Sequence, residues 1–89
     1  MPCAMKKLDR LAQIRHRIDV VDRRVARLLA RRLKLVKSLK PLKTRVRDRA
    51  RERAVIANVL REAGSSPADK TFIRSVYRAL LAASRRRQR

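Results

Sequence analysis

The chain has almost none of the residues that staple small folds together. Cys3 is its only cysteine and His16 its only histidine. No disulfide can close within one copy, and a zinc site built from cysteine and histidine is excluded for the same reason. Glycine occurs once and proline three times, and clusters of β-branched or aromatic residues are missing, which argues against sheet. Phe72 and Tyr77 are the only aromatic residues, so little is available for stacking on nucleobases. No apolar run approaches the roughly 20 residues that cross a bilayer. The lysines near the N-terminus, Lys6 and Lys7, are not followed by the apolar core of a signal peptide. The expectation is a soluble, cytoplasmic protein with no membrane partner.

Acidic residues are also scarce. Seven Asp and Glu face 27 Lys and Arg, for a formal net charge of +20. Such a surface attracts anions of any kind, nucleic acid included, through non-specific charge. Most of these cations are expected on solvated helix faces. With 89 residues the chain is one domain's worth, 1–89, and one copy buries little surface. Without disulfide or metal, self-association is the expected source of extra core.

What is present is helical spacing. Leu11, Ile14, Ile18, Val21, Val25 and Leu28, then Leu35 and Leu39, alternate steps of three and four. This is a heptad seam sustained over four repeats, the signature of long helices packing side by side. The predicted first helix spans about 8–40 and ends before Pro41, at a length of roughly 50 Å. So long a helix cannot be covered by the rest of one small subunit. A second helix is predicted over about 47–63, stopped by Gly64. A third, over about 67–88, starts with Ser66 as N-cap and Pro67 in the first turn, and its last basic residues are expected to fray. The fold class is therefore all-α, with one long and two shorter helices per chain, as an intertwined helical homodimer.

Each stripe is interrupted by polar residues. Arg32 falls at a seam position of the first helix, where an unpaired guanidinium is costly and an anionic partner is called for. Pairing with a carboxylate or snorkelling to the edge would also account for it. In the second helix Asp48 and Glu52 extend the line through Val55 and Val59, with Arg51 on the same side. Acids in a first turn suit the helix dipole, which explains Asp48 well and Glu52 poorly. In the third helix the line Ile73, Tyr77, Leu80 and Leu81 runs on to Ser84 and Gln88. That stripe either leaves the core there or supplies hydrogen bonds to a pocket. Together these exceptions place arginines, a carboxylate pair, a hydroxyl and an amide where helical bundles commonly host ligand sites.

The run Ile14-Arg15-His16-Arg17-Ile18-Asp19-Val20-Val21-Asp22 resembles the opening of the all-helical, AroQ-type chorismate mutases. Leu28-Leu29-Ala30-Arg31-Arg32 resembles their Leu-Leu-Ala-x-Arg stretch, and Val46 to Arg53 the segment that opens their second helix. Ser84 and Gln88 fall where their third helix supplies its last ligands. The similarity covers roughly Leu8 to Gln88. It implies an intertwined dimer that converts chorismate to prephenate, with no cofactor and no metal, in aromatic amino-acid biosynthesis through the shikimate pathway. It also implies roles. Arg15 of the other subunit and Arg32 grip the substrate carboxylates. A lysine late in the first helix and Gln88 hydrogen-bond the ether oxygen. Glu52, with the backbone near Asp48, holds the ring hydroxyl, while Arg51 and Ser84 complete the carboxylate contacts. Geometry supports the dimer separately: Arg15 and Arg32 are 17 residues apart, roughly 25 Å on one helix, too far for one small dianion to bridge.

One element departs from the family. Its usual Gly-Lys-x-Lys stretch is replaced by Val36-Lys37-Ser38-Leu39-Lys40-Pro41-Leu42-Lys43-Thr44. Counting from Arg32 assigns the catalytic lysine to Lys43, reaching in from the loop, and Lys40 is the alternative one turn earlier. The pericyclic reaction needs no nucleophile or proton transfer, so a chain with one histidine and one cysteine is suited to it. Catalysis rests on holding the folded conformer and on donors aimed at the breaking C–O bond. Isochorismate-pyruvate lyase or aminodeoxychorismate mutase activity is the alternative on the same fold. A basic nucleic-acid-binding helical dimer and a non-catalytic mutase-like protein are the alternatives from other classes.

Overall fold

A computed structural model describes residues 3–42, 48–64 and 66–88, with side chains described from residue 6 onward. Three α-helices account for nearly all of it, and no strand occurs among the described residues. α1 is Cys3–Ser38, α2 is Arg49–Glu62 and α3 is Pro67–Gln88. The all-α expectation holds. α1 begins ahead of the Leu8 start expected from the seam, because Lys6, Lys7 and their neighbours have good helix propensity and no glycine or proline lies between Cys3 and Leu8.

Local chemistry sets each boundary. Pro41 cannot donate to a helical ladder. α1 therefore stops at Ser38 and the chain tightens into one 3-10 turn, Lys40–Leu42, closed by the Leu42 amide on the Leu39 carbonyl at 2.8 Å. Ser38 Oγ donates to the Leu35 carbonyl at 2.6 Å, taking up an acceptor of that last turn. Asp48 caps α2, its carboxylate accepting the Arg51 amide at 2.9 Å. α2 ends where Gly64 turns left-handed at φ 86°, a conformation that costs an L side chain energy. Ser66 opens α3: its hydroxyl faces the Asp69 amide at 3.5 Å and its carbonyl accepts the Lys70 amide at 3.1 Å.

The chain divides into two compact units, Met1–Lys34 and Leu35–Arg89, with the boundary inside α1. In the first unit the apolar seam is uncovered. Leu11, Ile14, Ile18, Val21, Val25 and Leu28 are between 42% and 59% exposed. The second unit holds the buried residues, Val36, Leu81 and Ser84, and within it α2 packs on α3. α3 stays helical through Gln88 rather than fraying from Arg85, because Arg85 is tied to α2. No helix among the described residues is long and apolar enough to cross a membrane.

Candidate active site

The second unit builds its site from the α2 start and the α3 end. Helices joined by the short link around Gly64 run back on each other, which sets the first turns of α2 beside the last turns of α3. Glu52, one turn into α2, accepts a charge-assisted hydrogen bond from Arg85 Nη1 at 2.6 Å. Both side chains are about one-fifth exposed, at 19% and 22%. The pairing shows why a carboxylate can occupy the inward line of α2.

Ser84, next to Arg85, is only 7% exposed. Its hydroxyl donates to the Leu80 carbonyl at 2.8 Å, which satisfies the buried donor. The α3 stripe therefore does not leave the core at Ser84. Gln88 lies one turn beyond and is half-buried. The apolar stripes single out Ser84, Glu52 and Gln88 but not Arg85, which in sequence reads as part of a basic tail. The signal was its spacing: Arg85 is four residues after Leu81, on the face of α3 that meets α2.

The other expected site residues fall as follows. Asp48 is half-buried and spends its carboxylate on the α2 cap. Arg51 donates its backbone amide to that cap while its side chain is exposed. Arg32 is half-buried on α1 although it carries a charge, and Arg15, on the same helix, is exposed. Lys40 is exposed in the 3-10 turn. Lys43 lies outside the described residues.

Burial sorts the cations and anions sharply. Among the described residues, the charged side chains not fully exposed are Arg32, Asp48, Glu52, Lys70, Arg74 and Arg85. Three of these were singled out from sequence, and a fourth binds one of them. No group of three or more possible metal ligands occurs among the described residues. Within the second unit, Glu52, Arg85, Ser84 and Gln88 bring a carboxylate, a guanidinium, a hydroxyl and an amide to the α2 start and the α3 end, group types that can hydrogen-bond an anionic, hydroxyl-bearing molecule.

No curated protein and no solved structure matches the chain significantly. The family described as chorismate mutase type II matches residues 14–89, which takes in all three helices. With its all-α architecture and most of its length accounted for by that match, the chain belongs to the type II chorismate mutase family.

Proposed function

We propose that this chain is a chorismate mutase, acting as a homodimer, that rearranges chorismate to prephenate without a covalent intermediate, cofactor or metal. The observation that carries the reading is the burial of the polar set. In a chain of net charge +20, Arg32, Glu52, Ser84 and Gln88 are drawn at least partly out of water, on a chain whose family is known. These are the residues to which the resemblance assigns substrate contacts.

In this reading Arg32 and the partner subunit's Arg15 hold the two carboxylates. Arg51 and Ser84 add to that grip. Glu52 accepts the ring hydroxyl, and the backbone near Asp48 assists. Gln88 and one lysine, Lys43 or Lys40, donate to the ether oxygen as the C–O bond breaks. Binding both ends of the molecule enforces the compact conformer in which the reacting carbons meet. Fixed donors at the ether oxygen then stabilise charge that exists only in the transition state.

The dimer follows from the uncovered seam of α1. Its exposed leucines, isoleucines and valines recur at heptad spacing, so a second copy running antiparallel covers them with the same residues. Such a pairing also brings an Arg15 from one copy towards the Arg32 end of the other. Each seam residue gains on the order of 1 kcal/mol from losing its remaining exposure.

The test is product identification after incubating the purified protein separately with chorismate, isochorismate and aminodeoxychorismate, with Arg32→Ala as control. Prephenate from chorismate, lost in the variant, supports the reading. Pyruvate release from isochorismate, with chorismate left intact, would move the chain to the lyase reading.

A further inference from the structure

A carboxylate drawn out of water by packing needs a positive charge beside it. Glu52 is about one-fifth exposed, and the protein supplies that charge itself. Arg85 Nη1 donates to Glu52 Oε2 at 2.6 Å from a position 33 residues away in sequence. Leu81 and Ser84, on the same turns of α3, are 8% and 7% exposed, so the guanidinium extends from a packed stretch of helix. An apolar pair of similar size would join the two helices about as well, because dehydrating two charges offsets most of their attraction. The ion pair therefore points to a use for the Glu52 carboxylate beyond holding α2 on α3.

Glu52 and Arg85 line one cavity of about 580 Å³ between α2 and α3, a volume in the range of small-molecule sites. A ligand group that reaches the carboxylate there meets the guanidinium as well. The other charged residues around the cavity are Arg49, Arg53, Arg74 and Arg78, and Glu52 is the one acid among the described residues that line it. An ammonium group entering this space finds a single carboxylate, already matched by a cation. Arg85 repels it from much the same distance at which Glu52 attracts it. A neutral hydroxyl meets no such opposition and needs only an acceptor, which Glu52 provides.

We infer that Arg85 is a positioning residue that sets the specificity of the proposed active site: by neutralising Glu52 it admits a substrate with a ring hydroxyl at that point and rejects one with an ammonium group there. The inference rests on the mutase reading, in which Glu52 accepts the ring hydroxyl of chorismate. Aminodeoxychorismate carries an ammonium group in place of a hydroxyl, so the two substrates differ in the group that Glu52 and Arg85 meet. A carboxylate alone would favour the ammonium, since a charge-assisted contact between two ions is stronger than one to a neutral hydroxyl. Arg85 reverses that order. It acts through Glu52 and touches none of the reacting atoms.

Steady-state kinetics of the full chain on chorismate and on aminodeoxychorismate test this through the ratio of the two kcat/KM values. Partial unfolding lowers both rates alike and cancels in that ratio. The wild type favours chorismate. Arg85→Gln keeps a donor but removes the charge, and lowers the preference by roughly tenfold or more, the scale of one partly shielded charge–charge interaction, with KM for aminodeoxychorismate falling. Arg85→Lys keeps the charge and so keeps the preference, although both rates drop. Arg86→Gln, at an exposed neighbour, makes the same change in net charge and leaves the preference as it was. An Arg85→Gln protein that loses both activities in equal proportion, or entirely, overturns the proposal, because the residue is then a tie between helices and no more. An equal shift in Arg86→Gln also overturns it, since net charge then sets the preference, and so does a wild type that prefers aminodeoxychorismate. A folded wild type that rearranges neither substrate overturns the mutase reading itself, and the inference with it.

Discussion

The Glu52–Arg85 pair is the residue-scale feature with the clearest consequence. At 2.6 Å and about one-fifth exposure it is a charge-assisted contact that water screens poorly. Arg85→Ala leaves a half-buried carboxylate without that donor, and is expected to cost about 1.5–3 kcal/mol in urea unfolding. Arg85→Lys restores part of it, because a lysine ammonium is a single point donor rather than a planar fork. Arg85→Ala also loosens Glu52, so under the proposed function turnover of chorismate is expected to fall in parallel. Arg32→Ala and Gln88→Ala are expected to remain folded, by circular dichroism, and each to lose about 10²–10³ in kcat, the typical effect of removing a donor at developing charge. Near-normal rates in both would remove the assigned roles.

Among elements, α2 is the one whose ends matter most, since it carries Asp48, Arg51 and Glu52 in its first turns. Asp48 illustrates two readings that coexist: the cap explains its carboxylate, and the cap also fixes the amides around which a ligand hydroxyl could be held. The other end is set by Gly64 at φ 86° with open space around it, so a methyl group there meets no neighbour and only the backbone conformation resists substitution. Gly64→Ala is therefore expected to destabilise the protein by roughly 1–2 kcal/mol, read from the urea midpoint. A neutral result would show that the link between α2 and α3 tolerates a different conformation.

At the scale of the whole molecule, an uncovered seam and a charge of +20 pull in opposite directions. Apolar α1 faces favour association, and two copies of so basic a chain repel each other. The proposed dimer should therefore show a melting temperature that rises with protein concentration and with added salt, followed by scanning calorimetry. Ile18→Asp puts a carboxylate in the middle of the seam. It is expected to shift the sedimentation coefficient to that of a single chain and to reduce helicity, since a helix with no covered face is marginal in water. An unchanged sedimentation coefficient would assign the seam to another occupant.

Helix number, the stop at Pro41, the turn at Gly64 and the Ser66-Pro67 start were legible because they depend on backbone chemistry within a few residues. Arg32, Glu52 and Ser84 were legible as candidates because each interrupts an apolar repeat. What local pattern left open was decided by packing of one helix on another. Arg85 read as a solvated tail residue until α3 lay against α2 and brought it to Glu52. Arg49, Arg53, Arg74 and Arg78 looked like ordinary surface charge, since nothing in the spacing within either helix reveals that α2 and α3 turn them toward the cavity that Glu52 and Arg85 also line. Periodicity along a chain determines which face of a helix is apolar. Only the tertiary structure determines which polar groups on two different helices share a space, because that depends on contacts between residues far apart in sequence.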